Sequence, residues 1–119
     1  MKAINRIKKS EDFAFAIKNG TAKRNESFSL HVVQNELGYS RIGISVSARL
    51  GNAVERNRIK RQMRMMCHEI IKLDEPYDIL VIAKNDFLKH TYQENKNLLA
   101  ELLSQTGRNV KWKKVQKSH

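Results

Sequence analysis

Between Tyr77 and Ala83 four consecutive large aliphatic residues, Ile79 to Ile82, leave neither face of a strand polar. A run this short and this apolar reads as a central strand buried on both faces. Two further stretches alternate instead. In Phe28 to Gln34, Phe28, Leu30 and Val32 point one way while Ser29, His31 and Val33 point the other. From Arg41 to Ser47, Ile42, Ile44 and Val46 oppose Gly43, Ser45 and Ser47. The spacing predicts two antiparallel strands joined by the turn Asn35-Glu-Leu-Gly38, with one apolar face and one small or polar face. That second face is too poor in bulky groups for an ordinary core. It reads as a solvated surface or as an open groove for a ligand. Residues 21–25 add a short edge strand.

Helices fill the rest. Ser10 is placed to cap a helix over 10–19, with Glu11 and Asp12 in its first turn and Gly20 as its stop. Phe13, Ala16 and Ile17 form its apolar stripe, and Phe15, about 200° from Phe13, cannot share that face. Asn52 with Glu55 is a capping-box pair that opens a second helix. Its core stripe is Ile59, Met63, Met66, Ile70 and Leu73, and Asp74-Glu-Pro76 ends it. Thr91 with Glu94 opens a third helix, lined by Leu98, Leu99, Leu102 and Leu103 and stopped at Gly107. The order is α-β-β-β-α-β-α: an α+β fold with a small, mostly antiparallel four-stranded sheet packed with helices. The unit over 41–83 can make its two strands parallel neighbours. At 119 residues the chain is read as a single domain, 1–119, with basic ends at 1–8 and 107–119 free to flex.

Charge narrows the function. The net charge is +11 and the isoelectric point near 10.0, which points to a polyanion, nucleic acid before an anionic membrane surface. Residues 1–24, 49–64 and 107–119 each carry net +5, and so the remainder is acidic. In the middle block the cations are Arg49, Arg56, Arg58, Lys60, Arg61 and Arg64, opposed by Glu55 alone. On a helix, Arg56, Lys60 and Arg64 align beside the core stripe with Asn57 close by, while Arg58 and Arg61 lie further round. A rigid rod of ordered cations suits a phosphate backbone. With aromatics nearby, single-stranded RNA is a fitting ligand.

Catalytic signatures are missing. There are no clustered carboxylates, no metal-ligand spacing among His31, His68, His90 and His119, and no nucleophile–base pair. Cys67 lies near the apolar stripe and reads as packing, and Asp74, Glu75 and Asp78 read as helix-end and turn residues. One unpaired cysteine, no apolar run of membrane length and no signal core fit a cytoplasmic protein. The composition by itself suits a structural RNA-binding protein of ribosomal type. A self-sufficient nuclease would need groups that are not visible.

The runs Ile42-Gly-Ile-Ser-Val-Ser47, Leu50-Gly-Asn-Ala-Val54 and Arg56-Asn-Arg-Ile-Lys-Arg61 resemble the bacterial ribonuclease P protein component. Arg6-Ile-Lys-Lys-Ser-Glu-Asp-Phe13, Lys18-Asn-Gly20 and Asp78-Ile-Leu-Val-Ile-Ala83 support the resemblance, which covers about residues 4–105. It implies the protein subunit of a ribonucleoprotein endonuclease that removes the 5′ leader from precursor tRNA. In that family the RNA subunit carries catalysis and holds Mg²⁺. The protein binds that RNA and the leader, raising substrate affinity and activity at low Mg²⁺. The resemblance implies RNA contacts at Arg49, Arg56, Asn57, Arg58, Lys60, Arg61 and Arg64. It implies a leader cleft at Phe13, Ile17, His31, Ser45 and Lys84, with no metal on the protein and no membrane or DNA partner. Ile17 stands where many members have Phe, and His31 where many have Tyr. His31 can still stack, and below about pH 6.5 it would add charge. The resemblance also implies a left-handed crossover over 41–83, against the general right-handed rule.

Overall fold

The computed structural model describes residues 3–106. The elements are α1 (Ser10–Asn19), β1 (Thr21–Arg24), β2 (Phe28–Gln34), β3 (Arg41–Val46), α2 (Ala53–Ile70), β4 (Tyr77–Ala83) and α3 (Tyr92–Ser104). Short 3-10 turns occupy Ala3–Asn5, Ala48–Leu50 and Asn85–Lys89. One mixed sheet runs in the order β1-β2-β4-β3. β4 pairs antiparallel with β2 and parallel with β3, and β1 is an antiparallel edge on β2. The apolar run of β4 thus sits in the interior of the sheet. β2 and β3 run in opposite directions, as expected of the two alternating stretches, but they do not pair. β4 inserts between them, because its two apolar faces gain most from a central place.

The main core lies on one side of the sheet. Phe28, Leu30 and Val32 of β2, Ile42 and Val46 of β3, and Ile79, Val81 and Ala83 of β4 are buried there. Against them pack Ile59, Met63, Met66, Cys67 and Ile70 of α2, and Leu99, Leu102 and Leu103 of α3. Phe87 closes one end with its ring edge-on to Phe28, centroids 5.7 Å apart. Both capping boxes form: Asn52 Oδ1 accepts from the Glu55 amide at 3.0 Å, and Thr91 Oγ1 from the Glu94 amide at 3.1 Å. Gly51 makes the first possible. Its φ of 141° favours glycine, and a side chain there would collide with Glu55.

Several boundaries differ from the sequence reading. Lys9, not Ser10, is the N-cap of α1, with no side-chain cap bond. α2 stops at Ile70, so Leu73 packs on the core from the following loop. α3 ends at Ser104, and Gly107 lies outside the described residues, as does the basic stretch 107–119. The other basic end is held from Ala3 onward. Asn5 Nδ2 donates to the Ser40 carbonyl at 2.7 Å, the Ile7 amide donates to the Ile42 carbonyl at 3.0 Å, and Ile7 is buried. Within the basic end over 1–8, Asn5 and Ile7 are thus tied to Ser40 and Ile42.

Candidate RNA interface

The small-residue face of the sheet is where α1 lies. Three rows of side chains cross that face in register: Val33–Asp78–Arg41, then Ala22–His31–Leu80–Gly43, then Arg24–Ser29–Ile82–Ser45. α1 rests on the first two. Ala16 is fully buried against the sheet. Gly20 ends the helix in extended backbone (φ −84°), and a Cβ there would lie 2.8 Å from the Val32 carbonyl oxygen. Glycine is needed here for close approach, not for a left-handed turn. The Phe13 ring covers Gly43, with its Cε1 only 2.9 Å from where a Cβ would stand.

An ion-pair network sets the orientation of α1. Arg41 Nε and Nη2 donate to the two oxygens of Asp78 at 2.9 and 2.6 Å, and its Nη1 reaches Asp12 at 3.3 Å. The Asp78 hydrogen bond raises the Arg41 pKa above its ordinary value, against a smaller opposing effect of burial. Asn35 Nδ2 also donates to Asp78 Oδ1 at 2.9 Å. Asp78 is thus a buried strand residue that anchors α1, not the turn residue expected. With Asp12 held over the first row, Phe13 and Ile17, about 100° and 140° round from it, face the third row. The result is a cleft walled by Phe13 and Ile17 and floored by Ser29, Ile82 and Ser45. Ile17 is 51% exposed, which an apolar wall awaiting a ligand would show. Phe15 is also exposed but projects from the opposite flank.

The cleft continues past the strand ends into a depression of about 460 Å³. Lys84, Arg49, Ser47, Glu26 and Asp86 line it. Lys84 Nζ donates to the Asn25 carbonyl at 2.9 Å, which fixes its ammonium at the mouth. Arg49 joins Lys84 here, although sequence reading had grouped it with the helix cations. From this end α2 leads away. Its Arg56, Lys60 and Arg64 are half-buried beside the core stripe, whereas Asn57, Arg58 and Arg61 are exposed. Arg56 Nε donates to the Gly51 carbonyl at 3.2 Å, so one cation of the flank is already oriented.

His31 is placed differently from the expectation. It is 5% exposed, beneath α1, with Nε2 3.4 Å from Ser29 Oγ and Nδ1 buried without a hydrogen-bond partner. Burial first, and Arg24 second, lower its pKa below 6.5. Acquiring charge near pH 6.5, as an open cleft residue would, is thus corrected, and in this conformation the ring supports the floor. Sequence reading missed Ile82, Ser29 and Arg24 as cleft residues. The alternation Asp78, Leu80, Ile82, Lys84 was available as a signal, but the apolar run of β4 hid it.

The hydroxyl–imidazole contact of this region, Ser29 Oγ with His31 Nε2 at 3.4 Å, joins two buried side chains. Burial pushes the Cys67 thiol up to about 12, so it is a packing group. Among the described residues no group of three or more His, Cys, Asp or Glu could hold a metal ion. None of the helices among them is long and apolar enough to cross a membrane.

Fold and surface together are those of a small α+β protein with a basic helix flank and an open cleft beside its sheet. The family model for ribonuclease P matches residues 1–107. The chain belongs to the ribonuclease P protein family. It is 41% identical to the ribonuclease P protein component of Mesoplasma florum, over 87% of this chain and 96% of that protein. It is 40% identical to that of Bacillus velezensis, over 90% and 93%. Its structure is similar to the RNase P protein of Staphylococcus aureus (TM-score 0.75, 38% identity, 87% of this chain and 94% of that one). It is also similar to that of Thermotoga maritima (TM-score 0.74, 30% identity, 86% and 100%). The ribosomal-type alternative gives way to this membership.

Proposed function

We propose that this chain, as the protein component of ribonuclease P, holds the 5′ leader of precursor tRNA in the cleft between α1 and the sheet while the basic flank of α2 grips the catalytic RNA. The observation that carries the reading is the open third row. Phe13 and Ile17 wall it, Ile82 floors it between Ser29 and Ser45, and Arg24, Lys84 and Arg49 stand along its course. Aromatic and aliphatic groups contact bases, and cations track the backbone between them. Phe13, Ile17, Ser45 and Lys84 are the leader-contacting residues, with His31 supporting the floor. Arg49, Arg56, Asn57, Arg58, Lys60, Arg61 and Arg64 meet RNA.

Catalysis then belongs to the RNA subunit. On this reading the Mg²⁺ that supplies charge stabilisation to phosphodiester hydrolysis is held mainly by RNA. The protein positions substrate and neutralises phosphates, which lowers the Mg²⁺ needed. The reaction takes place in the cytoplasm, with no DNA or membrane partner. The test is affinity. The holoenzyme should bind precursor tRNA with a leader of several nucleotides more tightly than leaderless tRNA, and Phe13→Ala should shrink the difference. Equal affinity for both tRNAs would refute the cleft.

A further inference from the structure

On the outer side of α2 lies a second depression, of about 190 Å³, between that helix and the Asn85–Lys89 turn. Arg58, Gln62, Leu88, His90 and Tyr92 line its mouth and walls. Three features set it apart from ordinary surface. First, an exposed apolar side chain lines it: Leu88 is 56% exposed. Second, Gln62, half-buried, places an amide donor and acceptor in the lining. Third, the planar walls are held in place. Tyr92 Oη donates to Glu69 Oε1 at 3.2 Å. The His90 ring nitrogens lie 3.4 and 3.5 Å from Glu26 and Glu94. Burial and the Glu69 carboxylate push the Tyr92 phenol up to about 12, so it stays neutral.

We propose that this depression takes one unstacked nucleobase of the catalytic RNA, with the adjoining phosphates against Arg58 and Arg61. The proposal rests on the reading of α2 as the face toward that RNA. Size fits, since a cavity of roughly 150 Å³ takes a benzene ring. The lining fits a base rather than a phosphate inside: it consists of the Gln62 amide and the side chains of Ile59, Phe87, Leu88, His90 and Tyr92, with Arg58 its single Lys or Arg. Base recognition by an amide edge between planar and aliphatic walls is how proteins read splayed-out single-stranded nucleotides. A site of this kind would fix the register of α2 on the RNA, which phosphate contacts alone leave loosely specified.

The experiment compares the full-length protein with Gln62→Ala and Leu88→Ser, each with a bacterial ribonuclease P RNA, by binding titration and dimethyl sulfate probing. The wild-type protein should protect one unpaired nucleotide. Both variants should restore its reactivity and weaken binding about tenfold, with the slope of log affinity against log salt unchanged because no phosphate contact is lost. Wild-type affinity and an unchanged protection pattern in both variants would overturn the proposal. A wild-type protein that does not bind the RNA would instead defeat the reading of α2. Leu88 is exposed and Gln62 half-buried, and circular dichroism and urea midpoints should match the parent.

Discussion

Gly43→Ala tests how α1 sits on the sheet. The added Cβ would lie 2.9 and 3.0 Å from Cε1 and Cζ of Phe13 and 3.3 Å from Cδ1 of Leu80. Carbon atoms settle at about 3.5–4.0 Å, so the Phe13 ring must retreat by about 0.5–1 Å. Leu80 is fully buried and cannot yield, whereas Phe13 is half-buried and borders the cleft. The ring therefore moves toward the cleft. Overpacking of this kind costs about 1–2 kcal/mol, offset by about 0.5 kcal/mol from the lower entropy of unfolded alanine. The net loss should be about 1 kcal/mol in urea unfolding. A double-mutant cycle isolates the cause. With Phe13→Ala in place only the 3.3 Å contact with Leu80 remains, and Gly43→Ala should cost much less than in the parent. In the holoenzyme, Gly43→Ala should also weaken binding of leader-bearing precursor while leaving leaderless tRNA unaffected. Equal destabilisation by Gly43→Ala in both backgrounds would refute the contact, and unchanged leader affinity would refute its link to the cleft.

Other consequences follow from the same geometry. His31 is held neutral by burial while the unfolded chain protonates near pH 6.5. Its depressed pKa gives stability that is present above that pH and lost as pH falls toward the folded value. His31→Phe should therefore show a shallower loss of unfolding free energy between pH 7.5 and 5 than the parent, and identical slopes would dismiss burial of a neutral ring. Arg41→Ala leaves Asp78 buried with only Asn35 as partner and frees Asp12, and because Arg41 is partly solvated the cost should be about 2–3 kcal/mol. A loss below about 0.5 kcal/mol would show that solvent replaces the pair. Removing Arg56, Lys60 or Arg64 singly should flatten the salt dependence of RNA binding by about one counterion. An unchanged slope would move that residue out of the interface.

Much of this was legible in the chain because local chemistry and tertiary packing agree. Asn52 with Glu55 and Thr91 with Glu94 announce helix starts that the structure keeps, and the unbroken run Ile79 to Ile82 announces the central strand. The strand–helix–strand unit over 41–83 allowed the parallel pairing of that strand with β3, but its antiparallel pairing with β2 was not legible. Alternation reports which way side chains face but not which strands are neighbours, and chain proximity misleadingly favoured β2 beside β3. The cleft was half legible. Small residues at Gly43 and Ser45 mark a surface that something approaches closely, but only the Arg41–Asp78–Asp12 network shows which flank of α1 faces the open row. The placement of His31 depended on that same packing. Nothing local distinguishes a histidine under a helix from one beside it.

Cleavage of precursor tRNA at low Mg²⁺, with and without a bacterial ribonuclease P RNA, tests the central claim most directly. The account predicts correct 5′ leader removal only when the RNA is present, and faster turnover when this protein joins it. Cleavage by the protein alone, or an RNA reaction that the protein leaves unchanged, would contradict it.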